Sequence, residues 1–98
     1  MIIDKGVSPG EVVTIKLTSG EELIASLVEE TDKYIKVSKP RVLAAAQGGI
    51  GMAPYLFTVD PDKAIKIATA TVVVLEATEK ESAKSYTEAT TSIILWYK

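Results

Sequence analysis

Residues 12–36, with the sequence VVTIKLTSGEELIASLVEETDKYIK, decide the fold. Apolar and polar side chains alternate over the first six residues, which is the period of a half-buried strand. Gly20 can take the positive φ that a tight turn requires. The alternation resumes over residues 22–29, where the preceding short turn favours a hairpin over a helix. A third strand over 34–39 follows the turn at 30–33, so the stretch predicts a meander of three short antiparallel strands.

Further strands are predicted beyond this meander. Pro40 is expected to end regular pairing or to mark an edge strand, because proline donates no backbone hydrogen bond. The residues 43–52 are rich in alanine and glycine and indicate a mobile connection. Strands are predicted over 54–59 and over 64–78, the latter as one long or two short strands. Its apolar run 72–75 is typical of a strand buried on both faces.

The C-terminal part of the chain predicts a short helix over residues 79–91. Thr78 and Glu81 have the spacing of a capping box. Apolar side chains then recur at helical spacing, at Ala83, Tyr86, Ala89 and Ile93. The full pattern predicts a single domain over residues 1–98: a mostly β, small, strongly bent, five-stranded antiparallel barrel, Sm-like or SH3-like, with strands over about 11–76.

Composition excludes several classes of function. The 98-residue chain is 47% apolar, has a formal net charge of −2, and contains neither cysteine nor histidine. It therefore lacks disulfide chemistry, the usual general base and the commonest metal ligand. No enzyme activity, cofactor or metal site is predicted. The first residues do not have the pattern of a signal peptide, and the last apolar run is too short to span a bilayer, so a soluble, cytoplasmic protein is expected.

One segment departs from this acidic balance. Residues 33–41, KYIKVSKPR, carry four positive charges and no negative one. Tyr34 and Lys36 lie two apart and therefore share one face of the predicted strand. The segment is either an edge that binds a polyanion or a solvated strand face that happens to carry lysines.

Residues 12–36 resemble the Sm1 motif of the Sm/LSm family. The resemblance lies in the apolar strand VVTIKL, the turn glycine Gly20, a small residue two before a leucine in ASL, and the segment DKYIK. A second, looser match covers IKIATATVVV, where Ala68 and Thr69 stand in place of the family's Arg-Gly. Lys36 likewise replaces the family's asparagine, and Ala25 its usual glycine.

This resemblance implies a closed homo-oligomeric ring of about five to seven subunits, joined through edge strands. It also implies that the ring binds single-stranded RNA, or DNA, in RNA or DNA processing. In the family the corresponding aromatic residue stacks on a base and the asparagine reads the base edge. The implied site is Tyr34 and Lys36, with nearby contributions from Asp32, Lys33, Lys66 and Thr69. Lys66 either adds charge to this site or is an ordinary surface lysine of its strand. Asp32 is expected to be a turn residue or an orienting acceptor.

The alternative is a structural or adaptor ring that binds no nucleic acid, in which Tyr34 covers the barrel end. Trp96 and Tyr97 are expected to pack on the barrel or on a neighbouring subunit, and base stacking is the alternative.

Overall fold

The protein is mostly β, with one C-terminal helix. A computed structural model describes residues 6–96, apart from the side chains of Ala46 and residues 92–96. The expected packing of Trp96 and Tyr97 therefore lies outside the described side chains. The strands are β1 (Val12–Leu17), β2 (Glu22–Glu30), β3 (Tyr34–Ala46), β4 (Gly49–Pro54), β5 (Ile65–Ala68) and β6 (Val72–Ala77). A three-residue 3-10 helix (Thr69–Thr71) joins β5 to β6, and α1 spans Lys80–Trp96.

All strand pairs are antiparallel, in the order β4-β3-β2-β1-β6, with β5 also paired to β3. The first half of β3 pairs with β5, and its second half pairs with β4. The mostly β class, the antiparallel pairing and the C-terminal helix are confirmed, but the described part of the chain forms six strands instead of five. Within residues 6–96 the pairings form an open path, so the closed barrel stays a prediction.

The core lies on one face of this sheet and follows the predicted alternation. Val13 pairs with Ala25 and Ile15 with Leu23, and all four side chains are fully buried. Burying a large aliphatic side chain contributes about 1.5–3 kcal/mol, so these pairs fix the register of β1 against β2. The core cluster is Val13, Ile15, Leu17, Leu23, Ala25, Leu27, Ile35, Val37 and Ile67.

Strand β3 bends in its middle and does not stop there. Lys39 has a φ of 52°, which is unusual for a residue other than glycine, and the buried Pro40 follows it. The register against β2 shifts at the same level, between Ile24 and Ser26. Pairing then resumes on the far side of the bend, from Arg41 to Leu43. The prediction that Pro40 ends regular pairing is therefore wrong.

The predicted mobile connection over 43–52 is also wrong. These residues form the hairpin of β3 and β4, in which Ala45 pairs with Ile50 and Ala46 with Gly49. Gln47 and Gly48 form the hairpin turn, in which Gly48 has a φ of 87° that glycine adopts without strain. Backbone hydrogen bonds hold this hairpin, and its side chains are largely exposed, so it lacks the apolar alternation of a core strand.

Two other predicted strands differ from the structure. The strand predicted over 54–59 is absent, because β4 ends at Pro54 and residues 55–64 form bends and a turn. The strand predicted over 64–78 is divided by the 3-10 helix. Its run 72–75 is not buried on both faces, since Val73 is 60% exposed and Val74 41% exposed. Among the described residues β6 pairs with β1 alone, and the consecutive Val73 and Val74 point to opposite faces, so neither face of this strand is fully covered.

Helix α1 is longer than predicted and uses a different cap. The Glu79 carboxylate accepts the backbone N–H groups of Glu81 and Ser82 at 3.1 and 3.2 Å, and the Ser82 hydroxyl at 2.8 Å. These bonds, led by that from the Ser82 hydroxyl, lower the pKa of Glu79 below its ordinary value. The Thr78 hydroxyl is instead bonded to the Thr14 hydroxyl at 2.8 Å, so the predicted capping box is wrong. No helix among the described residues has the length and apolar character to cross a membrane.

One tyrosine joins α1 to the bend in β3. The Tyr86 side chain is only 1% exposed, and its hydroxyl donates to the carbonyl of Lys39 at 2.8 Å. The carbonyl of Ser38 lies 3.4 Å from the same hydroxyl. Burial raises the pKa of this phenol, which keeps it a donor. The helix is therefore fixed to the sheet at the point where β3 changes direction.

We expect Tyr86→Phe to lower the free energy of unfolding by about 1–2 kcal/mol, because the Lys39 carbonyl loses its side-chain donor in a part-buried position. Urea unfolding measures this change. Tyr34→Phe is the matched control: it removes a surface hydroxyl and should leave stability nearly unchanged. Equal effects of the two substitutions would contradict the role given to Tyr86.

Candidate nucleic-acid interface

The turn between β2 and β3 is built by Thr31. Its hydroxyl oxygen accepts the backbone N–H groups of Lys33 and Tyr34 at 3.1 and 3.0 Å. The backbone N–H of Thr31 donates to the Tyr34 carbonyl at 2.8 Å, and the hydroxyl lies 3.1 Å from the same oxygen. Asp32 does lie in this turn and is exposed, as predicted for a turn residue. The side-chain acceptor that orders the turn, however, is Thr31.

Thr69 connects the 3-10 helix to this turn. Its backbone N–H donates to the Lys33 carbonyl at 2.9 Å, and its hydroxyl donates to the Thr31 carbonyl at 3.3 Å. Thr69 and Lys33, both named in the implied site, are thus brought together. The contacts of Thr69 hold the end of β5 against the start of β3, which fixes the backbone around Tyr34.

The outward face of β3 brings the remaining predicted residues together. Tyr34 lies opposite Ala68, and Lys36 lies opposite Lys66 across β5. Residues directly opposite in antiparallel strands share a face, so Tyr34, Lys36 and Lys66 project on the same side. The Lys66 ammonium lies 4.7 Å from the centre of the Tyr34 ring, which is a cation–π distance.

Glu29 completes this face, although it is not among the site residues predicted from the sequence. The Tyr34 hydroxyl donates to Glu29 Oε1 at 3.1 Å. This hydrogen bond, together with desolvation and the negative charge of Glu29, raises the pKa of the phenol above its ordinary value. Glu29, on β2, also lies directly opposite Lys36 on β3. We define the Tyr34 surface as Glu29, Tyr34, Lys36 and Lys66.

The charges at this end of the sheet nearly balance. Three lysines, Lys33, Lys36 and Lys66, lie among three carboxylates, those of Glu29, Glu30 and Asp32. The positive segment 33–41 does not act as one patch. Arg41 donates to the carbonyl of Pro61 at 2.7 Å and pairs with Asp62 at 3.2 Å, so it holds the loop after β4.

The described residues contain no group of histidine, cysteine or acidic side chains that could hold a metal ion. The sequence matches no protein-family model, and no curated protein matches it. Functional interpretation therefore depends on the geometry of the Tyr34 surface.

We expect Thr31→Val to lower the free energy of unfolding by about 1–2 kcal/mol, because valine keeps the shape but removes the acceptor for two backbone amides. Asp32→Ala, one residue further along the same turn, is the control and should have little effect. Chemical denaturation of both variants measures the difference. A larger loss for Asp32→Ala would show that the aspartate, and not the threonine, orders the turn.

Proposed function

We propose that the protein is a cytoplasmic, Sm-like protein that binds single-stranded nucleic acid, preferentially RNA, at the Tyr34 surface. The observation that carries this proposal is that two lysines and a half-buried tyrosine project together from one face, although they come from two strands. Aromatic rings that stack on bases, beside cationic groups that pair with phosphates, are the usual means of binding single strands.

Each side chain of the surface has a role in this proposal. The Tyr34 ring offers a face for one base, and the Lys36 ammonium offers a partner for a phosphate. The Lys66 ammonium lies over the ring at 4.7 Å in the free protein. A base either stacks on the other face of the ring or displaces Lys66, which can then pair with the phosphate of the same nucleotide. Both arrangements keep the ammonium groups of Lys36 and Lys66 close to the phosphate backbone of the bound nucleic acid.

Assembly into a closed homo-oligomeric ring is part of the proposal. The sheet ends on one side at β6, which exposes Val73 and Val74, and on the other side at β4 and β5. Pairing β6 of one subunit with an edge of the next would cover both edges, and such a head-to-tail contact can close into a ring. The direct connection of β5 to β6 through three residues supports a bent, barrel-like path from β3 to β1. A ring would repeat the Tyr34 surface in every subunit, so weak contacts would add.

A structural or adaptor ring is the second candidate. It is favoured by the three carboxylates of Glu29, Glu30 and Asp32, which offset the nearby lysines, and by the use of Arg41 to hold a loop. This candidate keeps the edge-strand assembly and gives Tyr34 only a structural contact with Glu29.

We expect Tyr34→Ala to weaken binding of a mixed-sequence single-stranded RNA about tenfold with little change in salt dependence, because it removes stacking. Lys36→Ala should weaken binding and also flatten the slope of log affinity against log salt by about 0.7, because it removes one phosphate contact. Fluorescence anisotropy at several salt concentrations measures both quantities.

Lys84→Ala, at an exposed position of α1, is the charge-matched control and should leave affinity unchanged. Equal affinities of the wild type and the Tyr34/Lys36 double-alanine variant would rule out this surface as the binding site. The adaptor ring would then be the function to keep.

We expect light scattering of the wild type to give the mass of a ring of about five to seven subunits. Substituting both Val73 and Val74 by aspartate should give monomers, because two charges on the β6 edge oppose pairing with another strand. Phe57→Asp is the control, since Phe57 is 88% exposed on the loop after β4 and lies outside every strand. A wild-type monomer at micromolar concentration would contradict the ring.

A further inference from the structure

We propose that Glu29 selects the base that stacks on Tyr34, favouring cytosine, which carries an exocyclic amine, over uracil. This inference rests on the proposed function and specifies its ligand.

An irregularity in β2 turns Glu29 toward the Tyr34 surface. Leu27 pairs with Val37, and both side chains are buried. In a regular ladder Val28 would then face Lys36, and Glu29 would share the buried side of Leu27. The register shifts between Leu27 and Glu29, so that Glu29 lies opposite Lys36. Bulges of this kind re-aim a side chain, and here the carboxylate becomes part of the outward face.

The phenol of Tyr34 then fixes the position of the carboxylate. Glu29 Oε1 lies 3.1 Å from the Tyr34 hydroxyl, at the edge of the aromatic ring. A base that stacks on this ring extends one of its own edges over the ring perimeter. The carboxylate is therefore placed beside the edge of the stacked base, where exocyclic groups lie.

The chemistry of a carboxylate distinguishes the two pyrimidines. A carboxylate only accepts hydrogen bonds. Cytosine carries an amine at position 4, and acidic side chains accept a hydrogen bond from this amine in nucleic-acid complexes. Uracil carries a carbonyl oxygen at position 4 and has its edge donor, N3–H, at the neighbouring position, so a carboxylate beside position 4 meets a second acceptor. The two bases have nearly the same size and stacking face. Any difference between their affinities should therefore depend on the contact with Glu29.

The neighbouring lysines make a carboxylate tolerable in a site for a polyanion. Lys36 lies directly opposite Glu29 on β3, and Lys66 lies opposite Lys36 on β5. Two ammonium groups thus accompany one carboxylate on the same face. The phosphate backbone can contact the lysines while the base edge contacts Glu29, which separates affinity from base selection.

The test compares an oligocytidine with an oligouridine of equal length, by fluorescence anisotropy at neutral pH. We expect the wild type to bind the oligocytidine about tenfold more tightly, the size of one well-placed base contact. Glu29→Gln should bring the ratio of the two affinities close to one, because a carboxamide both donates and accepts and fits either base. The glutamine oxygen can still accept the hydrogen bond of the Tyr34 hydroxyl, so the two side chains should keep their arrangement. Thermal unfolding checks that the stability is unchanged.

Glu30→Gln is the matched control. It removes the same charge from the next residue, which lies opposite Ile35 instead of Lys36. It should raise both affinities and leave their ratio unchanged. Equal binding of the two oligonucleotides by the wild type, or a ratio that Glu29→Gln does not change, would overturn the role of Glu29 and leave the proposed function intact. Failure of the wild type to bind either oligonucleotide would overturn both.

Discussion

The bend of β3 at Lys39 is the constraint on which the rest of the structure depends. A left-handed backbone costs an ordinary residue about 1–2 kcal/mol, so neighbouring contacts must offset it. The Tyr86 hydroxyl bonds the carbonyl of Lys39, and Pro40 restricts the backbone that follows. Because of this bend, a single strand pairs with β2 on both sides of Lys39, while its other edge accepts β5 first and β4 second. The Tyr34 surface lies on the first half of the strand, and the hairpin arm on the second.

The sequence predicted the parts of the fold that depend on local pattern. The alternation in β1 and β2 fixes which side chains face the core, and Gly20 has the positive φ of 105° expected for the turn between them. The β3–β4 hairpin was not predicted, because its strands consist largely of small, exposed residues. Backbone pairing, and not an apolar pattern, defines these strands. The edge position of β6 was missed because burial of an apolar run depends on neighbouring strands. The helix cap was missed because Thr78 bonds Thr14, which is 64 residues away in the chain.

For the candidate site, too, the sequence predicted only what depends on local pattern. Two-residue spacing placed Tyr34 and Lys36 on one face, and the resemblance added Lys66, which the structure brings to Tyr34. Glu29 could not be predicted, because a regular strand would direct it to the buried side, and only the register shift reverses that direction. Thr31 was recoverable, since a threonine ahead of two polar residues often forms a side-chain turn. The separation of Arg41 from the lysines depends on Asp62, which no local pattern connects to it.

The facing positions of Lys36 and Lys66 have a consequence for the fold itself. Like charges directly opposite in a sheet destabilise the pair of strands that carries them. Strand β5 has only four residues, so its attachment to β3 is the pairing in which this repulsion counts most. Dissolved ions screen such repulsion over about 10 Å at 0.1 M. Raising the ionic strength therefore relieves the repulsion between these two lysines while it weakens their attraction for a polyanion. For this pair of side chains, the resting strand pairing and the occupied surface thus respond to salt in opposite directions.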